Sequence, residues 1–234
     1  MTRTAWLAGG LAACLLWPVP AHAARTVSFR AADGTHLSAS LYEPDRLPAP
    51  GIVLIHMLTR SRSDWDETAQ RLRDAGFVAL ALDLRGHGES SGAGSHGAAF
   101  GPMLQDVQAA LAFVRGQGTV APGRLGLAGA SAGANLAAMA AGADRSVRSL
   151  VLLSVTTDYR GLKTEPSLRR FEGSVLFLAG SNDAYAVRSA HALAGSTTLR
   201  NVETFEGAGH GTVMLQRRPE LVDRLVNWFR QTLF

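Results

Sequence analysis

Only one cysteine, Cys14, occurs among the 234 residues, and it lies near the start of the chain. An intramolecular disulfide is therefore excluded, and stability has to come from packing. Basic residues are scattered or paired, as in Arg169-Arg170 and Arg217-Arg218. The chain lacks the basic run with interleaved aromatics that a nucleic-acid groove needs, so no nucleic-acid partner is expected. No two histidines have the spacing or the carboxylate partner of a metal site, and neither a metal nor another cofactor is expected. No stretch offers about 18 uninterrupted apolar residues, so no membrane span is expected.

What is present at the N-terminus is a short export pattern. Arg3 supplies a positive start, Ala5 to Trp17 an apolar stretch, and Ala21-His22-Ala23 small residues at a cleavage site. Residues 1–23 are expected to be a signal peptide and 24–234 a catalytic domain, which implies a periplasmic or secreted protein. Leu11-Ala12-Ala13-Cys14 also looks like a lipobox, so lipid anchoring through Cys14 is the alternative. Cleavage after Ala23 would remove the only thiol. It would leave 22 basic against 19 acidic side chains, a mild excess that suits a solvated surface.

With 47% apolar residues and no shift in composition, residues 24–234 suit one core. Thr26 to Arg30 and Leu37 to Glu43 flank Asp33-Gly34 and predict an antiparallel hairpin. Gly51 to His56 is a continuous apolar run of the kind buried on both faces of a parallel sheet. Strand and helix then alternate. Ser63 is expected to cap a helix with Trp65, Ala69 and Leu72 on one face; Gly76 ends it, and Phe77 to Leu82 is the next strand. Further helices are expected over Leu104 to Val114, Ala184 to Leu193 and Leu221 to Leu233, and a further strand over Leu150 to Leu153. The fold class is α/β, a doubly wound, mostly parallel sheet with helices on both faces. About 20 residues separate Ser154 from Val175, which leaves room for only a minimal lid, a loop and one short helix, and hence a shallow site.

The chemistry concentrates at three loops that follow apolar runs. Gly129-Ala130-Ser131-Ala132-Gly133 joins the run Arg124 to Ala128 to a helix-forming stretch, the pattern of a nucleophile elbow. A strand turning sharply into a helix strains the turn serine, and small flanking residues relieve the crowding. Val175 to Gly180 ends in Ser181-Asn182-Asp183, which hangs a carboxylate after a strand. Val202 to Phe205 leads into Glu206-Gly207-Ala208-Gly209-His210-Gly211, a glycine-rich loop presenting an imidazole. A serine hydroxyl is a weak nucleophile until a base takes its proton, and an imidazole titrates where it can accept and return one. Other readings of these side chains are a helix cap for Ser131, a turn or cap residue for Asp183, and a solvated loop residue for His210. Asp158 is a rival acid after the preceding strand.

Serine, then aspartate, then histidine is the chain order of the α/β-hydrolases, and residues 24–234 resemble that family, most closely its serine carboxylesterase and dienelactone hydrolase-like branch. Dienelactone hydrolases use a cysteine nucleophile where this chain has Ser131. The resemblance implies Ser131, His210 and Asp183 as nucleophile, base and acid. It also implies an oxyanion hole made by the backbone N–H of Ala132 and one from the loop after His56. The family's His-Gly is here His56-Met57-Leu58, so the second donor is assigned by position to Leu58, with Met57 as the alternative. His56 and His87, the latter in Asp83-Leu84-Arg85-Gly86-His87-Gly88, are expected to be structural, and His36 and His96 to lie in loops. The implied activity is cleavage of small carboxylic esters through an acyl-serine. A peptidase or amidase and a non-catalytic binding protein on the same scaffold are the alternatives, and the oligomeric state stays open.

Overall fold

A computed structural model describes residues 24–92 and 100–234; the expected signal segment, Cys14 and His96 lie outside them. The predicted hairpin is present as β1 (Arg25–Arg30) and β2 (His36–Tyr42), so His36 opens a strand rather than lying in a loop. The apolar runs become β3 (Ala49–Ile55), β4 (Val78–Leu82), β5 (Val120–Ala130), β6 (Val147–Leu153), β9 (Ser174–Gly180) and β10 (Arg200–Phe205). Together they form one eight-stranded sheet in the order β1-β2-β4-β3-β5-β6-β9-β10. β1, β2 and β4 are joined by antiparallel pairings, and every pairing from β4 to β10 is parallel.

Successive side chains of a strand face opposite ways, which divides the core into two layers. Val53, Ile55, Leu80, Leu82 and Leu127 face α2 (Gly101–Gly116), α3 (Ala132–Ala141) and α5 (Ala184–Ala194). Ile52, Leu54, Ala79, Ala81, Val151 and Leu176 face α1 (Asp66–Asp74) and α7 (Glu220–Leu233). In α7, Leu221, Leu225 and Trp228 are buried and Thr232, at the same helical spacing, is partly buried.

Ser63 does not cap α1. It lies inside a 3-10 turn, Arg62–Trp65, and its hydroxyl pairs with that of Ser61. Arg62 draws the turn inward by binding Asp83 and Glu89. Between β6 and β9 the chain makes a small hairpin, β7 (Asp158–Tyr159) with β8 (Leu162–Lys163), and then α4 (Glu165–Arg170). This is the minimal lid. Asn135 on α3 fastens the hairpin base by donating to the carbonyls of Thr156 and Leu162. The chain has no helix among its described residues long and apolar enough to cross a membrane.

Candidate active site

Because β5, β6, β9 and β10 are parallel neighbours, the loops after them share one end of the sheet. Ser131 follows β5, Asp183 lies three residues after β9, and His210 lies five after β10. Ser131 sits at φ +53° and ψ −120°, the left-handed strain expected of an elbow. Close packing accounts for the two glycines. A Cβ on Gly129 would collide with the carbonyl of Gly133, and one on Gly133 would lie 2.5 Å from the carbonyl oxygens of Ile55 and His56.

The Ser131 hydroxyl makes no helix-capping bond. Its Oγ lies 2.7 Å from Nε2 of His210, while Nδ1 of His210 lies 2.5 Å from Oδ2 of Asp183. A carboxylate only accepts, so the proton sits on Nδ1 and leaves Nε2 to accept from the serine hydroxyl. The Asp183 carboxylate is shared between two partners. Its Oδ1 accepts from the amide of Ala186 and caps α5, while Oδ2 holds the imidazole. Asp158 is not part of this chain: its exposed carboxylate accepts from the amide of Gly161 within the small hairpin. The His210 side chain is 47% exposed, so its ring is reachable from solvent.

His56 is fully buried behind the loop expected to supply the second oxyanion donor. Its Nδ1–H donates to the carbonyl of Met57 at 2.7 Å, and its Nε2 accepts from the amide of Leu84 at 3.0 Å. Burial, chiefly, pushes its pKa down to about 4, so the ring is neutral at pH 7. In a trans peptide the C=O and N–H point opposite ways. By holding the Met57 carbonyl, His56 therefore aims the Leu58 amide away from itself. The Met57 side chain lies against Gly211, beside His210. His87 supports the same loop, accepting from the amide of Thr59 through Nε2. The amide of Ser131 is tied at 2.9 Å to the carbonyl of Leu153, fixing the elbow to β6.

Two further residues enter this site that sequence reasoning did not single out, Asn182 and Ser154. Asn182 Oδ1 accepts from the amide of Gly209, and Ser154 Oγ from that of Gly211, one on each side of His210. Their available signal was position alone, each closely following a buried strand. A depression of about 430 Å³ bordered by Asp144, Arg145, Arg148, Arg170 and Glu172 lies at the starts of β6 and β9, the opposite end of the sheet, and shares no residue with the site. Among the described residues no group of three or more His, Cys, Asp or Glu is placed to hold a metal ion.

Residues 48–171, just over half the chain, match the sequence model of the family described as serine aminopeptidase, S33. The chain belongs to this family of α/β-hydrolases. The match takes in the elbow and the His56 loop but ends before Asp183 and His210, whose placement rests on the geometry above. Solved structures agree in fold. A dienelactone hydrolase from Anabaena variabilis superposes with a TM-score of 0.75 at 16% identity, covering 91% of this chain and 99% of that one. Est1E from Butyrivibrio proteoclasticus, solved with ferulic acid, gives 0.73 at 18%, covering 88% and 98%. A serine hydrolase from Xanthomonas campestris described as being without a lid gives 0.69 at 18%, covering 89% and 94%. Identities this low show a shared α/β-hydrolase fold and nothing finer.

Proposed function

We propose that this S33-family hydrolase cleaves small carboxylic esters through an acyl-Ser131 intermediate. The supporting observation is the unbroken hydrogen-bonded chain from Ser131 through His210 to Asp183. Ser131 Oγ attacks the ester carbonyl carbon as its proton passes to Nε2 of His210. The negative oxygen of the tetrahedral intermediate receives the N–H groups of Ala132 and Leu58. As the carbonyl–alkoxy bond breaks, the leaving alcohol takes the proton from His210. Water repeats the sequence on the acyl-serine, giving the carboxylic acid and restoring Ser131. Asp183 keeps the imidazole in the tautomer that accepts from serine and stabilises the imidazolium. Export, with cleavage after Ala23, is proposed on the pattern of residues 1–23, and small soluble esters are the substrates an open site suits.

Incubation with a fluorophosphonate followed by peptide mass spectrometry should place one adduct on Ser131. Ser131→Ala and His210→Ala should each lower turnover of p-nitrophenyl acetate by roughly 10,000-fold. Absence of an adduct on folded protein would overturn the serine mechanism and favour a binding protein. Longer acyl chains should be poorer substrates than acetate. The family description supports a second reading, amide cleavage at a peptide N-terminus. Faster turnover of alanine p-nitroanilide than of p-nitrophenyl acetate would establish that reading instead.

A further inference from the structure

His210 has far to reach. Its strand, β10, lies three places from β5 in the sheet, roughly 14 Å at the usual interstrand spacing, yet its ring touches Ser131 at 2.7 Å. The histidine loop therefore returns across the ends of β9 and β6. Each crossed strand leads into one side-chain oxygen that takes an amide of the loop. Asn182, after β9, accepts from Gly209 at 3.1 Å, and Ser154, after β6, accepts from Gly211 at 3.0 Å.

Ser154 is the more telling of the two. It is fully buried and sits at φ +52°, a left-handed conformation costly for a residue with a Cβ. Its amide is held by the carbonyl of Leu178, and its hydroxyl hydrogen points to Sδ of Met214 at 3.6 Å, leaving lone pairs for the Gly211 amide. The residue before it, Leu153, accepts from the amide of Ser131 at 2.9 Å. One dipeptide at the end of β6 thus anchors the nucleophile through its backbone and the histidine loop through its side chain.

We infer that Ser154 is a positioning residue that sets the separation of His210 from Ser131, its strained backbone serving to aim the hydroxyl at Gly211. It touches neither substrate nor the reacting atoms, and the inference rests on the serine-hydrolase reading proposed above. Two variants separate positioning from mere folding. Ser154→Ala removes the hydroxyl and keeps the strain, whereas Ser154→Gly removes both. Both should lower kcat for p-nitrophenyl acetate roughly 10- to 100-fold, the usual effect of an ångström-scale misplacement. KM should stay within about threefold because no substrate contact changes. The rate of fluorophosphonate labelling at Ser131 should fall in parallel with kcat. Thermal melting should divide the pair, Ser154→Gly melting above Ser154→Ala.

A wild-type kcat in either folded variant would overturn the inference, as would an effect confined to KM. Failure of both variants to fold would assign Ser154 to the fold alone and overturn it too. Absence of Ser131 labelling in the wild-type protein would instead refute the serine mechanism, so the two failures are distinguishable.

Discussion

Asp183 carries two loads on its two oxygens, and that division makes a clean substitution available. Asparagine caps helices about as well as aspartate, so Asp183→Asn should keep the bond from Ala186 and leave Tm nearly unchanged. It cannot stabilise an imidazolium, and its amide also allows the wrong tautomer of His210. Turnover of p-nitrophenyl acetate should fall by roughly 1,000- to 10,000-fold. Asp158→Asn, altering an exposed carboxylate that accepts from the amide of Gly161, should change turnover by less than about threefold. Comparing kcat and melting temperature for the two variants tests the assignment of the acid. Ser131, Asp183 and His210 were legible in the sequence because each stands in a loop after an apolar run, two of them between glycines. Ser154 and Asn182 were not, because they act on backbone amides, and a serine or asparagine after a strand carries no pattern that separates an anchor from an ordinary turn residue.

At the scale of elements, Arg85 joins three pieces of the fold. Its Nε and Nη2 grip Asp106 of α2, and Nη1 reaches Asp33 in the turn between β1 and β2. Asp106 is fully buried. Burial, the largest influence on it, raises its pKa, with the Arg85 bonds opposing. Arg85→Ala should therefore strand a buried carboxylate and cost about 3–5 kcal/mol in a denaturant titration. Pairing Arg85→Met with Asp106→Leu should recover most of that loss. The long elements were readable from periodicity, since β3 and α7 carry five or more buried apolar positions each. The hairpin β7–β8 was not, because strands of two residues are too short to show alternation. Ser63 misled for a different reason. A serine ahead of Trp65, Ala69 and Leu72 has the local form of a cap, but the bonds of Arg62 to Asp83 and Glu89, distant in sequence, impose a 3-10 turn.

For the molecule as a whole, His56 gives stability a pH dependence. Its folded pKa of about 4 lies below the unfolded value near 6.5. Between those values the unfolded chain binds a proton that the folded chain does not, so stability rises with pH across this window and is lost as pH falls through it. The full effect is on the order of 3 kcal/mol. Asp106, shifted upward, acts in the opposite sense. Thermal melting between pH 7 and pH 4 should show a falling Tm. His56→Gln, whose amide offers one donor and one acceptor but no titration, should flatten that fall. An unchanged slope in this variant would remove His56 as its source.

The contact of Gly133 with the carbonyls of Ile55 and His56 has a practical consequence for redesign. Backbone meets backbone there, so a side chain introduced at position 133 would have to displace main-chain carbonyls rather than a neighbour able to rotate away. Libraries aimed at new acyl or alcohol groups are therefore better kept off position 133.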